Sequence, residues 1–531
     1  MDIFSDPVVL ARLQFAITAA YHFVFVPLTI GIGLILAINE TRYYRSRSEA
    51  DAQATKFWVK IFTATFAMGV ATGITMEFSF GTNWAEYSRF VGNIFGAPLA
   101  AEALLAFFLE STFLGILLFG RDKVSPKFYL ASTWLVWFGS ALSALWIIIA
   151  NSWMQTPAGA ALSPDGSQAI MTDFLAAAFN PSTLPRYLHT VLALLVMGAF
   201  GAMAISAWYM HKDRFHDFAI KTMKIGAVVG VIATGCLLGS AHSSAVTVAE
   251  QQPTKLAMME GMYEDEVPPL YLFGWVDEAE QKVITPFYIP GGTSFLANGN
   301  FDTEYQGLNS LSETETYSAL DPQTAPVNFT FQTYHLMVAM FGAICLVILL
   351  VLIFTFRGGK IAKMKWLQWL VIISPIFPFL AIESGWFVAE LGRQPWVVYP
   401  STTGPDQIAL TVNEGVSASV SSWELCVTLL LFFAVYLFLI IGWGRLLAKF
   451  IGEGPSSPAV VAEGSATPAA TSVVAPEAAH VSGSHMTAAE RVRNAQAAPQ
   501  TVSKASHENE SAAATDTPSP ASQAAPKKEG E

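Results

Sequence analysis

Long apolar runs separated by short polar connections dominate the chain up to residue 444. Each of nine runs reaches the roughly 20 residues that a helix needs to cross the hydrocarbon core of a bilayer. Because that core offers no water to backbone polar groups, each crossing segment is predicted to be helical. The runs are residues 14–38, 57–77, 98–119, 129–151, 187–210, 218–241, 333–356, 366–390 and 422–444. The pattern predicts an all-α, polytopic membrane protein with about nine transmembrane helices.

The composition agrees with a membrane protein. Apolar residues make up 53% of the 531 residues and charged residues only 13%, about half the charged share of soluble domains. The net charge of −12 arises mainly in one long connection and the tail, and no basic face for nucleic acid is present. The three cysteines lie in separate apolar runs, which excludes a disulfide framework and predicts packing roles.

Lysine and arginine are concentrated in alternate connections, which sets the predicted orientation. Eighteen of them fall in residues 39–60, 120–128, 211–224, 357–365 and 445–449. The positive-inside rule therefore places the N-terminus outside and the C-terminus in the cytoplasm. In this orientation one group of chemically notable side chains shares the outer half of the membrane: His22, Glu102, Glu110, His189, Met337 and Glu390.

The chain divides into four predicted regions. Residues 1–241 hold the first six transmembrane helices and residues 333–452 the last three. Residues 242–332 form a long outer connection, and such length in a loop between two spans usually accompanies function. Residues 453–531 lack apolar periodicity and are rich in Ala, Pro, Ser and Thr, which predicts a disordered cytoplasmic tail.

Histidine and methionine at membrane depth suggest bound iron. An uncoordinated polar side chain is costly there, and imidazole is a common axial ligand of haem. His22 is one candidate, with a hydrogen bond to another helix as the alternative. His189 and Met337 form a second, paired candidate, because one imidazole and one thioether give a low-spin iron suited to electron transfer. His335, two residues before Met337, is either a competing ligand or a propionate partner.

Carboxylates recur in the same apolar surroundings. Glu383, Trp386, Glu390 and Arg393 follow one another at intervals of three, four and three, so they share a helix face. A structural Glu–Arg pair at the membrane surface and a carboxylate beside an iron both fit this stripe. Glu102 and Glu110 are turned by roughly 80° on a regular helix, which still permits one cavity. They are either proton-exchanging groups or hydrogen-bonded packing residues.

Several ordered motifs resemble subunit I of the cytochrome bd quinol:oxygen oxidases over roughly residues 1–445. They are RLQFA at 12–16, YHF at 21–23, MEFSFGTNW at 76–84, FGAPL at 95–99, FLEST at 108–112, ALW at 144–146, NSWMQ at 151–155, QQPTKLA at 251–257 and GWFVAELGRQPW at 385–396. Motifs of this length in this order are rarely produced by chance.

The resemblance implies three haems. His189 and Met337 would hold a low-spin haem b, while His22 and Glu390 would supply ligands to a paired site of a high-spin haem b and haem d. The resemblance also implies roles for further residues. Glu102 would be at the paired site as ligand or proton donor, Glu110 would lead towards it, and Trp386 would lie between the haems. Arg393 would be part of the catalytic site, and Arg12 and His335 would contact the cofactors.

The resemblance also implies that the outer connection is a short quinol loop. Lys255 and Glu260 match the quinol-binding pair of the family, and a cation with a carboxylate can polarise a quinol and accept its proton. A surface Lys–Glu pair is the alternative. The chain departs from the family at His335, where an arginine is usual. The low-spin haem potential is therefore expected to be lower or pH-dependent.

The expected function is the haem-bearing subunit of a quinol oxidase in the bacterial cell membrane. It would oxidise quinol outside and reduce dioxygen to water, generating proton motive force without a pump. A second large membrane subunit, and a small single-helix subunit, are the expected partners. The alternatives are a b-type cytochrome that only relays electrons from quinol, and a transporter without redox chemistry.

Overall fold

The computed structural model describes residues 5–401 and 407–455. Nine helices in this described part are long and apolar enough to cross a membrane, which confirms the predicted class and helix count. The elements of the first half are α1 (Pro7–Ser46), α2 (Glu49–Gly81), α3 (Ala85–Ala101), a π-helix (Glu102–Phe107), α4 (Phe108–Phe119), α5 (Pro126–Gln155), β1 (Ala160–Leu162), β2 (Ala169–Met171), α6 (Phe174–Ala178), α7 (Thr183–His211) and α8 (His216–Gln251). The predicted tail from residue 456 onward lies outside the described residues.

The second half contains the long connection and the last three crossings. Its elements are α9 (Pro253–Glu260), β3 (Leu270–Asp277), β4 (Lys282–Ile289), α10 (Gly292–Asn298), α11 (Leu308–Ser312), a 3-10 turn (Glu315–Tyr317), α12 (Val327–Phe356), a 3-10 turn (Lys360–Lys363), α13 (Lys365–Ile373), α14 (Ile376–Leu391), β5 (Trp396–Val398), β6 (Leu410–Thr411), α15 (Val412–Gly415) and α16 (Ser422–Glu453). The strands form three antiparallel pairs, β1 with β2, β3 with β4 and β5 with β6.

Side chains cap the membrane helices at their polar ends. The Asp6 carboxylate accepts hydrogen bonds from the backbone amides of Val8 and Val9, so it satisfies two free donors of α1. Ser421 and Glu424 form a reciprocal capping box at the start of α16. These contacts fix where each helix begins.

The α1–α7 contact brings two backbones together without intervening side chains. A Cβ added at Gly31 would lie 2.5 Å from the Cα of Gly198, and one added at Gly198 would lie 2.3 Å from the Cα of Gly31. Small residues allow such close approach between membrane helices. Gly31 follows His22 by nine residues and Gly198 follows His189 by nine, so the crossing ties together the two helices that carry candidate ligands.

Some sequence expectations need correction. Helix α8 continues to Gln251 and α12 already begins at Val327, so both helices extend into the residues predicted as the outer connection. The connection also contains a β-hairpin, β3–β4, that the sequence analysis did not predict. Cys236 and Cys345 are exposed on their helices, and Cys426 is half-buried.

Candidate functional site

His22 lies where three membrane helices meet. One imidazole nitrogen is 2.7 Å from the hydroxyl of Thr72 on α2, so the hydrogen bond considered as its alternative role is present. The adjacent Phe23 ring lies 6.2 Å from the ring of Trp386 on α14. The structure therefore brings His22 near Trp386, although the two residues are far apart in sequence.

His189 and Met337 are connected through α14, which packs against both α7 and α12. The Nδ1 atom of His189 is buried and has no hydrogen-bond partner among the described residues. The sulfur of Met337 packs on Gly385, 2.9 Å from the position that a Cβ would occupy at this residue. Met337 lies in the third turn of α12 and not in its first turns. An unpaired imidazole and a sulfur directed at α14 are suitable for ligating a group between these helices.

His335 and Met337 point to different sides of α12. The His335 ring stacks on Phe331 at 4.0 Å between centroids, and its Nδ1 is 2.8 Å from the Phe331 carbonyl oxygen. Residues two apart on a helix are turned by about 200°. This arrangement favours Met337 over His335 as the ligand facing α14.

Glu390 is the centre of a buried polar network that joins three helices. Its carboxylate forms an ion pair with Arg393 and accepts a hydrogen bond of 3.2 Å from Asn151 on α5. The Asn151 amide oxygen in turn accepts a bond of 2.5 Å from Arg186 on α7. The predicted Glu–Arg pair is therefore present, but its Arg393 side chain is only 4% exposed. It is an interior pair and not a surface pair.

Lys255 extends this network from α9 of the outer connection. Its amino group donates to Gln155 of α5 and, at 2.9 Å, to Gln252, while its stem packs on Gly392. Burial, together with the positive charges of Arg186 and Arg393, lowers the pKa of Lys255 well below its usual range. Arg393, Arg186 and, more weakly, Lys255 thus act electrostatically on one carboxylate, Glu390. Such an excess of buried positive charge is costly unless an anionic group balances it.

Glu260 is fully buried at the other end of α9. Neither of its carboxylate oxygens has a hydrogen-bond partner in the described part of the chain, and burial raises the pKa of Glu260 to about 8. The next residue, Gly261, lies directly beneath Val276 and Val283 of the β3–β4 hairpin. Lys255 and Glu260 are both buried, which does not fit a surface pair, and they occupy different surroundings on α9.

Glu102 and Glu110 both contact α5. Glu102 accepts a hydrogen bond of 2.8 Å from Ser143, and the Glu110 side chain packs on Gly139, one turn away on the same face of α5. Glu102 begins the π-helix, and one π-helical turn takes up one residue more than an α-helical turn. The angle between Glu102 and Glu110 about the helix axis, roughly 80° on a regular helix, therefore falls by about 100° to near −20°. The two carboxylates lie on nearly one face.

The remaining predicted residues lie at the periphery or lack partners. Arg12 is half-buried in α1 and interacts electrostatically with Asp6. Glu383 is buried, and neither carboxylate oxygen finds a hydrogen-bond partner among the residues described. The sequence analysis missed Arg186 and Gln252 as site residues. An arginine three residues before His189, at the start of a membrane helix, was the available signal for Arg186.

The donor set fits haem better than a bare metal ion. No three His, Cys, Asp or Glu side chains cluster as a metal site within residues 5–401 and 407–455. Single axial ligands are what iron held by four porphyrin nitrogens requires. The unpartnered Nε and Nη1 atoms of buried Arg393 are further suitable donors to an anionic group such as a propionate.

Comparisons with known proteins show the family of the chain. The family model described as cytochrome bd terminal oxidase subunit I matches residues 10–455. The cytochrome bd-II ubiquinol oxidase subunit 1 of Escherichia coli (strain K12) is 38% identical over 515 residues, covering 85% of this chain and 98% of the relative. The cytochrome bd ubiquinol oxidase subunit 1 of Bacillus subtilis (strain 168) is 37% identical over 435 residues, covering 81% and 90%.

A solved structure shows the same fold. The bd oxidase from Geobacillus thermodenitrificans aligns with a TM-score of 0.74 and 26% identity, over 85% of this chain and 99% of that one. With nine apolar helices among the residues described, the chain is a multi-pass protein of the bacterial cytoplasmic membrane. It belongs to the family of cytochrome bd terminal oxidase subunit I.

Proposed function

We propose that this chain is the haem-bearing subunit of a quinol oxidase that oxidises quinol at the outer face and reduces dioxygen to water. The observation that carries the proposal is a set of buried polar contacts between the outer connection and Glu390. Lys255 donates to Gln155 of α5, and Gln155 donates to the carbonyl oxygen of Ala389, next to Glu390. Asn151, one turn away on α5, donates to the Glu390 carboxylate. The network joins the proposed quinol segment to a proposed haem ligand. The relatives of this chain in Escherichia coli and Bacillus subtilis are named ubiquinol oxidase subunits.

Four side chains are proposed to hold the haems. His189 and Met337 would bind a low-spin haem b, and His22 and Glu390 would serve the paired high-spin haem b and haem d. When bound, the haem irons supply one-electron transfer and the binding of dioxygen. Arg186 and Arg393 would balance anionic propionates with their buried charge. Trp386, whose ring lies 6.2 Å from that of Phe23, would lie between the haems.

Glu260 is proposed as the proton acceptor for quinol. Its unpartnered oxygens are free to bind a quinol hydroxyl, and its raised pKa makes the carboxylate a stronger base than an exposed glutamate. Lys255 would bind a quinol oxygen or hold the Gln155 and Gln252 amides that line the approach. Quinol protons would then leave on the outer side.

Glu110 and Glu102 are proposed to carry protons towards the oxygen-reducing site. They lie on nearly one face of the third span, with Ser143 and Gly139 of α5 opposite them. Protons for water would be taken from the cytoplasm, so charge would separate across the membrane without a pump. A second large membrane subunit would complete the inner proton path, and a small single-helix subunit is a further proposed partner.

The reduced-minus-oxidised spectrum of the purified complex tests the proposal, together with its quinol-dependent oxygen consumption. We expect bands of haem b, a chlorin band at longer wavelength, and oxygen uptake with quinol. Haem b bands alone, without oxygen uptake, would instead establish an electron-relay cytochrome. A folded complex without haem would overturn both readings.

A further inference from the structure

The outer face of the β3–β4 hairpin is apolar although it is not covered by the protein. Phe273 lies opposite Phe287, and Trp275 lies opposite Ile284, in the register of the two strands. All four side chains are more than half exposed, with Trp275 at 59%. Leu272, next to Phe273 on β3, is also more than half exposed. Exposed apolar patches rich in aromatic residues mark interaction surfaces.

The opposite face of the hairpin is fixed to the outermost turns of α12. The Gln332 side chain donates to the Gly274 carbonyl oxygen at 2.7 Å, and the Tyr271 and Phe331 rings lie 5.8 Å apart. The amide of Val276 donates to the side-chain oxygen of Asn328 at 3.1 Å. The hairpin therefore runs alongside this membrane helix, from Asn328 at its solvent end to Phe331, next to His335.

The sequence of α12 gives the depth of the hairpin. Residues 336–356 form an apolar run that is interrupted by a single hydroxyl, at Thr355, and is followed at once by Arg357. At 1.5 Å per residue this run spans about 30 Å, the thickness of the hydrocarbon core. Residues 328–335, which contact the hairpin, then fall in the headgroup zone. The hairpin lies at the same level.

Charged residues lie at the solvent end of the hairpin and exposed aromatic residues at the other end, as expected for a hairpin at the level of the headgroups. The turn at its solvent end carries Asp277, Glu278, Glu280 and Lys282, and Glu278 accepts a hydrogen bond of 2.8 Å from the Asn328 amide at the start of α12. The end adjoining Phe331 carries the exposed Phe273 and Phe287. Aromatic side chains concentrate at membrane–water interfaces, where their rings contact headgroups and the upper acyl chains instead of water.

We propose that the outer face of the β3–β4 hairpin, made of Phe273, Trp275, Ile284 and Phe287, inserts into the interfacial zone of the adjacent phospholipid leaflet. Its inner face covers Gly261, next to Glu260. If the proposed function holds, the hairpin lies over the segment that carries Glu260, the proposed proton acceptor. Its membrane contact would then be where quinol arrives from the lipid. The lipid contact itself does not depend on that function.

Depth-dependent spin labelling of the whole complex in phospholipid nanodiscs tests the insertion. The three cysteines are replaced by serine, and single labels are placed by Phe273→Cys, Phe287→Cys and, as the matched control on the same hairpin, Glu280→Cys. We expect collisions with dissolved oxygen to dominate at the two phenylalanine positions and collisions with a water-soluble nickel chelate to dominate at the control. The ratio of the two accessibilities should differ several-fold between the positions.

Two results would overturn the insertion. Equal access of the nickel chelate to all three positions would place the patch in water, and exclusion of both reagents from the phenylalanine positions would mean that protein covers it. Unlabelled native complex provides a second measurement if a variant does not fold. Phospholipid with a photoreactive diazirine near its headgroup should cross-link within residues 270–289, and a peptide map without such cross-links would also contradict the proposal.

Discussion

Glu260 makes quinol oxidation sensitive to pH in a defined direction. Because burial raises its pKa to about 8, the carboxyl is mostly protonated at neutral pH and becomes a base only as pH rises through that value. We expect kcat/KM for quinol to increase with pH up to about 8 and then level off. Glu260→Gln should remove this rise and lower kcat/KM by about 10²-fold or more.

The exposed Glu264 provides the matched control for this measurement. Glu264→Gln changes the same functional group at an exposed position four residues after Glu260, so its pH profile should match that of the unaltered protein. Steady-state quinol oxidation across pH gives both profiles. A pH-dependent rise that persists in Glu260→Gln would assign proton acceptance to another group.

Met337 is expected to determine the low-spin haem spectrum. Leucine has nearly the volume of methionine but no sulfur, so Met337→Leu should keep the packing on Gly385 and remove the thioether ligand. The low-spin bands should be lost while the protein stays in the membrane. Met340→Leu, one turn along the same helix, should leave the reduced spectrum unchanged. Retention of the bands in Met337→Leu would move ligation to another residue, with His335 the first candidate.

At the scale of elements, the Gly31–Gly198 contact fixes the distance between α1 and α7. A methyl group at residue 198 would overlap the backbone of Gly31, whereas one at Gly201 would meet only Leu28 at 3.5 Å. We expect Gly198→Ala to destabilise the protein by about 1–3 kcal/mol through overpacking and Gly201→Ala to have a much smaller effect. Thermal unfolding of the purified complex measures both. Equal unfolding temperatures would show that the two helices can separate without loss of stability.

The membrane helices were predictable because lipid leaves the backbone few alternatives. Apolar length alone located the nine candidate crossings of the described residues. The YHF and GWFVAELGRQPW motifs pointed to His22 and Glu390, while the matched depth of an imidazole and a thioether pointed to His189 and Met337. The π-helix was not predictable, since residues 102–107 have the composition of an ordinary apolar helix. The β3–β4 hairpin escaped notice because its exposed aromatic residues give no alternation of apolar and polar positions.

The contacts within the candidate site were beyond the sequence for a different reason. Asn151, Arg186 and Glu390 belong to α5, α7 and α14, and their hydrogen bonds depend on how these helices pack. Local sequence patterns carry no direct information on such distant pairings. The resemblance supplied Glu390 and the NSWMQ motif, but only the folded chain joins Asn151 of that motif to Glu390 and adds Arg186 as a donor to Asn151.

At the scale of the whole molecule, the orientation in the membrane decides whether quinol protons add to the proton motive force. Positive charge in alternate connections predicts that the outer connection, with Glu260 and the β3–β4 hairpin, lies outside the cytoplasm. If this orientation were reversed, quinol protons would be released inside and the oxidase could not conserve energy in the proposed way. The predicted orientation is therefore a condition of the proposed function.

Reporter fusions at two glycine positions test the orientation. Gly299 ends α10 in the outer connection and has a left-handed backbone with open space around it, while Gly358 lies in the connection after α12 on the opposite side. Alkaline phosphatase folds to an active enzyme only after export, so we expect activity when it is inserted at Gly299 and none at Gly358. Green fluorescent protein fused after Gly454 should fluoresce, because it folds in the cytoplasm. The reverse pattern would place Glu260 in the cytoplasm and exclude proton release at the outer face.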